Sequence, residues 1–193
     1  MAESLQDNIQ NTATTIKLPP NSQEAEQSVL GGLMLNDQHW FDLVDILQPS
    51  DFYRNQHQLI YQAMIELANQ DEALDAVTVS EKLKSKAILE KAGGIEYLGQ
   101  LAESSTGASN VLAYARIIRE RSVLRQLIGA ANQIADSAFS TEGKDSETLL
   151  EKAEQAIFSI SEREGSADGP MGIDSLLTRA VERIEILSES KGA

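Results

Sequence analysis

The chain has 193 residues, with 16 Lys and Arg against 30 Asp and Glu, no Cys, and His only at 39 and 57. Its net charge of −14 argues against a broad footprint for nucleic-acid phosphates, and the missing thiols exclude disulfides, thiolate zinc sites, iron–sulfur clusters and a cysteine nucleophile. Two His cannot build a three-His metal site, no apolar run approaches the ~20 residues that span a bilayer, and the first residues do not read as a secretory signal. A cytoplasmic protein with no membrane partner is expected.

Residues 1–17 are polar and aperiodic, as in a mobile tail. Order is expected from Leu18-Pro19-Pro20, where the prolines keep the preceding backbone extended. Asn21 or Ser22 then caps a helix whose apolar face is Ala25, Val29, Leu30, Leu33 and Met34, with Glu24 and Glu26 in the favourable first turn. Trp40, Phe41, Val44 and Leu47 predict a second apolar face. After Pro49-Ser50-Asp51 and Phe52-Tyr53, a third helix carries Leu59, Ile60, Ala63, Met64 and Leu67. Asp75 or Thr78 caps a short helix through Leu83. Gly93-Gly94 punctuates, and Ile95, Leu98 and Leu101 form another helical face. Val77-Thr-Val79 is the one strand-like stretch and is too short for a sheet, so the chain reads as all-α.

The second half predicts an antiparallel hairpin. Asn110 caps a helix to about Ala138, with Leu124, Leu127, Ile128, Ala131, Ile134, Ala135 and Ala138 at helical spacing. After a polar loop, Leu149, Leu150, Ala153, Ala156, Ile157 and Ile160 form the facing stripe, and its alanines permit close approach. The expected organisation is thus a tail (1–17), a globular helical head (18–105), a helical hairpin completing the domain (106–163), a flexible Gly/Pro-containing linker (164–172) and a final amphipathic helix (173–193). In that last helix Ile173, Leu176, Leu177, Ala180, Val181, Ile184 and Leu187 fall within a stripe of about 140° at 100° per residue. Left in water it would forgo on the order of 10 kcal/mol, as an upper bound. It needs a docking surface, either on its own domain or on another subunit or domain. The flexible tether favours the second.

Little in the chain points to chemistry. Gly143-Lys144 lacks the flanking residues of a phosphate loop, and there is neither a Gly-x-Ser-x-Gly elbow nor a dinucleotide fingerprint. The carboxylates are expected mostly on solvated helix exteriors, and His39 and His57 as structural or surface residues. Arg116, Arg119, Arg121 and Arg125 fall on two opposite sides of their helix, which suits ion pairs or subunit contacts better than a phosphate track. Trp40, Phe41, Phe52 and Tyr53 read as core rather than as a base-stacking platform.

Several segments taken together resemble one family. Leu18-Pro-Pro20 followed by Glu24-Ala-Glu-Gln-Ser-Val-Leu-Gly-Gly-Leu-Met-Leu35 is similar to the opening of the DnaB family of bacterial replicative DNA helicases. Asp51-Phe-Tyr53 with His57, Gly93-Gly94 with Tyr97-Leu98, and Tyr114-Ala115 with Ile118-Arg-Glu-Arg121 extend the likeness, and residues 162–187 resemble the family's linker and linker helix. The resemblance implies the N-terminal domain plus linker helix of an ATP-dependent 5′→3′ helicase. The RecA-like ATPase domain that follows in the family is absent from these 193 residues. No catalytic residue, metal or cofactor is then expected here, and ATP and Mg would serve the parent protein.

In the family, heads pair through their hairpins and three pairs form a collar on a hexameric ring on which primase docks. The positions implicated in docking or coupling correspond to Glu24, Tyr97, Ile128, Ile134 and Leu149. Ile128, Ile134 and Leu149 also fall on the expected hairpin seam, where plain packing would explain them equally. The stripe Ile173–Leu187 would dock on a neighbouring subunit. A helicase loader, and single-stranded DNA in the parent ring, are further implied partners. A stand-alone helical adaptor of the same fold is the competing reading. An all-α enzyme using carboxylates finds no support in the spacing.

Overall fold

A computed structural model describes residues 18–104, 110–140, 143 and 145–165. The tail, residues 166–172 and the stripe Ile173–Leu187 lie outside the described residues. Ser22 starts the first helix, its Oγ accepting from the Ala25 amide at 3.4 Å, while the Asn21 side chain turns back to the Pro19 carbonyl. Helix α1 (Gln23–Leu35) is followed by α2 (Trp40–Ile46), α3 (Asn55–Ala68), α4 (Ala76–Ser85) and α5 (Gly94–Ser104). These make the head. Helices α6 (Val111–Phe139) and α7 (Ser146–Gly165) make the hairpin, with α7 running two residues into the stretch expected to be linker. No strand occurs among the described residues, and Val77-Thr-Val79 lies inside α4.

Asp75 caps α4 by accepting from the Val77 and Thr78 amides at 2.8 and 3.1 Å. Asn110 precedes α6 but makes no capping bond through its side chain, contrary to expectation. In α2 the buried positions are Trp40 and Leu43, with Leu47 just beyond. Phe41 is 80% exposed and Val44 is also exposed, because the helix is only two turns long and shows one narrow edge to the core. Tyr53 and Ile95, expected inside, are exposed as well.

The core lies where α1, α3 and α5 meet, closed by α2, α4 and the first half of α6. Val29, Leu30 and Leu33 pack with Ile60, Met64, Leu98 and Leu101. Tyr61 fills the space between Trp40 and Phe52, with ring centroids 5.7 and 4.9 Å away. Its hydroxyl donates toward the carbonyls of Leu43 and Leu47, at 3.4 Å each. Burial pushes that hydroxyl well above the usual phenol range, and Asp51 adds to the rise.

Helix α6 joins the two halves. Val111, Ala115, Ile118 and Ser122 on its first part are buried against the head. Asp51, fully buried, accepts from Arg119 Nη1 at 3.0 Å, from Ser122 Oγ at 2.7 Å and from the Gln48 amide at 2.8 Å. Arg125 donates to the Pro20 carbonyl at 2.8 Å and to the Asp51 carbonyl, with its guanidinium 5.6 Å from the Tyr53 ring centroid. The basic run therefore serves internal anchorage through Arg119 and Arg125, while Arg116 is exposed. Asp51→Ala should lower unfolding stability by about 3 kcal/mol, since it strands a partly buried cation. Urea denaturation checks this, and a loss below about 1 kcal/mol would show that the anchor contributes little.

Candidate protein-interaction site

The residues implicated by the family resemblance fall into two groups. Glu24 and Tyr97 belong to the head, on α1 and α5. Ile128, Ile134 and Leu149 belong to the hairpin.

Tyr97 sits over the turn that starts α5. Gly93 there has φ 102°, and a Cβ at this position would lie 2.8 Å from Tyr97 Cδ1, so the ring occupies the space a side chain would need. The ring lies nearly parallel to that of His57, with centroids 6.0 Å apart and planes 6° from parallel. Its hydroxyl is 2.6 Å from His57 Nε2 and accepts from the Gln27 amide at 3.4 Å. On the other side of the imidazole, Nδ1 lies 2.6 Å from Glu26 Oε2. Glu26 also accepts from the Tyr53 and Arg54 amides, at 2.7 and 3.4 Å. Glu26 and His57 are fully withdrawn from water, and Tyr97 is half-buried. Glu24, two residues from Glu26, faces solvent.

Glu26 and Asp51 thus depart from the expectation that the carboxylates ride on helix exteriors. A signal for Glu26 and His57 existed. Glu26 precedes Leu30 and Leu33 by four and seven residues, and His57 stands in the same relation to Tyr61 and Met64. Both are polar residues in phase with an apolar face. Asp51 lies in an irregular turn, where no periodicity could mark it. His57 is structural, as expected. Glu26 is bonded to two backbone amides and to the His57 imidazole, which suits anchorage rather than acid–base work. Among the described residues no cluster of His, Asp and Glu is arranged to hold a metal ion, and no helix is long and apolar enough to cross a membrane.

In the hairpin, Ile134, Ala138, Leu149, Leu150, Ala153 and Ala156 line a groove of about 300 Å³ between α6 and α7. Ile134 and Leu149 are half-buried there, and Ala130 and Ile160 close the seam below. Ile128 does not belong to the seam, contrary to expectation. It lies about 160° around α6 from Ala130 and is 48% exposed. The apolar stripe of α6 is wider than one neighbouring helix can cover. Leu127 and Ala131 lie about 60° and 100° from the seam on α6, and Leu150 and Ile157 about 80° and 60° on α7. Because the helices are antiparallel, these rotations open to the same side. The result is one continuous apolar face in which Leu127 and Ile157 are exposed and Leu150 is 63% exposed. A contiguous patch of this kind marks an interaction surface rather than a solvated one.

Gly93→Ala should destabilise the head by more than Gly94→Ala, although both residues have positive φ. Gly94 carries only the conformational cost of about 1–2 kcal/mol, since the nearest atom to its added Cβ is at 3.9 Å. Gly93 adds a collision with the Tyr97 ring. Chemical denaturation together with the Tyr97 ring resonances distinguishes the two. Equal losses would show that the ring is not seated on the turn.

Comparison with known proteins agrees with this architecture. A family model described as the DnaB-like helicase N-terminal domain matches residues 18–120. The replicative DNA helicase DnaB of Haemophilus influenzae is 39% identical over 175 residues, which is 90% of this chain and 37% of that protein. The chain therefore spans less than two-fifths of the length of this curated relative. The crystal structure of the N-terminal domain of DnaB helicase from Mycobacterium tuberculosis superposes with a TM-score of 0.71 at 36% identity, covering 74% of this chain and 99% of that one. The N-terminal domain of the Helicobacter pylori DnaB helicase, described with its interactions with primase, gives a TM-score of 0.52 at 29% identity, covering 60% and 89%. The all-helical head and hairpin, the matched family model and these relatives together show that the chain belongs to the DnaB-like helicase N-terminal domain family.

Proposed function

We propose that this chain is the oligomerisation and primase-docking part of a hexameric, ATP-dependent 5′→3′ replicative DNA helicase. The observation that carries the reading is the uncovered apolar face of the hairpin. Leu127, Leu150 and Ile157 are 39%, 63% and 45% exposed among the described residues, and each would contribute at most roughly 1.5–3 kcal/mol on full burial. A second hairpin with the same face covers it by two-fold pairing, and three such pairs make a collar. Primase docks on this collar, a reading supported by the primase interactions described for the Helicobacter pylori domain. Tyr97 and Glu24 contribute from the head, and Ile128, Ile134 and Leu149 from the hairpin. Ile134 and Leu149 act through hairpin geometry, being half-buried in the seam groove, whereas Ile128 acts by contact.

The stripe Ile173–Leu187 docks on a neighbouring subunit of the parent ring. ATP and Mg, single-stranded DNA and the helicase loader belong to the parent protein, and this chain turns over no substrate unaided. Two substitutions separate packing from pairing. Ile134→Asp should cost the isolated chain several kcal/mol, because it forces a carboxylate into the apolar seam. Ile128→Asp should change stability by no more than about 0.5 kcal/mol while weakening self-association. Light scattering and thermal melts, with capture of primase on the immobilised chain, check both. A mass of one chain at every concentration together with no capture of primase would sink the reading.

A further inference from the structure

Three side chains from three helices form one hydrogen-bonded line from the interior to the surface: Glu26 of α1, His57 of α3 and Tyr97 of α5, with both links at 2.6 Å. Holding a carboxylate and an imidazole out of water costs free energy that an apolar pair of the same volume would not incur. The sense of both bonds is set by the His57 tautomer. An ionised Glu26, which accepts from the backbone amides of Tyr53 and Arg54, can only accept, so His57 Nδ1 supplies the hydrogen of its own link. With Nδ1 carrying the single ring hydrogen, Nε2 presents a lone pair, and the Tyr97 hydroxyl donates to it. The Gln27 amide donates to the same hydroxyl oxygen from the side, at 3.4 Å. The hydroxyl hydrogen is then held toward the imidazole of His57, and half-buried Tyr97 keeps an oxygen lone pair for a further donor.

We infer that Glu26 and His57 are positioning residues for Tyr97, fixing its hydroxyl as an acceptor for an N–H donor of the docking protein, an arginine, a lysine or a free backbone amide. This rests on the reading that Tyr97 takes part in primase docking. Glu26 is needed besides for the Tyr53 and Arg54 amides, but an apolar side chain at position 57 would support the ring equally well while leaving the hydroxyl free to rotate. The buried imidazole is the feature that a packing role alone does not require.

The test uses the whole chain with primase as the probe. Nitrogen-15 NMR of the imidazoles should show the Nδ1–H tautomer for His57, with the Nε2 resonance moving in Tyr97→Phe. In His57→Asn the amide nitrogen stands where Nδ1 was, so the bond to Glu26 persists while the link to Tyr97 is lost. Tyr97→Phe and His57→Asn should each weaken primase binding about three- to tenfold, the scale of one hydrogen bond, and the double variant should bind no worse than either single one. Additive losses would show that His57 acts through the fold alone and would overturn the inference. So would an Nε2–H tautomer, or a folded His57→Asn that binds as the unmodified chain does while Tyr97→Phe binds poorly. If His57→Asn does not fold, Glu26→Gln tests the same point. Its amide can donate to Nδ1, reverse the line and turn the Tyr97 hydrogen outward, so that binding weakens, and unchanged binding counts against the inference. If Tyr97→Phe and Tyr97→Ala both bind primase normally, the docking role of Tyr97 itself is wrong, an outcome that the tautomer measurement distinguishes from failure of the relay.

Discussion

Asp51 is a carboxylate with no access to water, and it ties α6, and with it the hairpin, to the head. Its partners come from both sides of a junction: the Gln48 amide from the turn that holds it, and Arg119 and Ser122 from α6. Glu26 does the same work a few residues away by taking the amides of Tyr53 and Arg54. The irregular stretch between α2 and α3 lowers Asp51 and Phe52 into the core while Gln48, Ser50, Tyr53 and Arg54 stay exposed, and the backbone donors of this turn need acceptors. Two buried carboxylates supply them. The turn is thereby held rigid, and α6 docks onto a fixed surface through charge-assisted bonds, which are stronger and more directional than apolar contact alone.

The hairpin is built on the opposite logic. Its seam uses small residues, Ala153 and Ala156 among them, so the two helices cover little of each other and leave a groove of about 300 Å³. A narrow seam leaves the flanks of both stripes uncovered. The same residues therefore bring α6 and α7 together and leave a surface for a third and a fourth helix. A bulkier seam would have consumed that surface within one chain. The wide apolar stripe of α6 and the small side chains opposite it are two parts of one arrangement for association.

The helical class, the elements and the caps at Ser22 and Asp75 were legible because they follow from spacing and from side-chain oxygens ahead of apolar runs. The hairpin was legible for the same reason, down to its alanines. The failures have physical causes. Spacing assigns a face but not which part of a wide face a neighbour covers, so Ile128 was grouped with Ile134 although they lie on different sides of α6. Phe41 was read as core by residue type, whereas a two-turn helix offers too little surface to bury all its apolar side chains. The carboxylates Glu26 and Asp51 were missed because charge is ordinarily a marker of exposure. For Glu26 the helical phase could have overridden that prior. For Asp51 only the tertiary arrangement could reveal the partners, which stand 68 and 71 residues further along the chain.

Helix α6 passes without interruption from the head into the hairpin. From Arg125, which still bonds to the head, to Phe139 is about 21 Å of unbroken helix. It is a lever with its fulcrum at Asp51. Tilting it by about 10° at that end sweeps the far tip through about 4 Å, roughly three residues' rise along a helix. A slight rearrangement around one buried carboxylate is thus magnified into a displacement large enough to change which side chains meet across a subunit boundary.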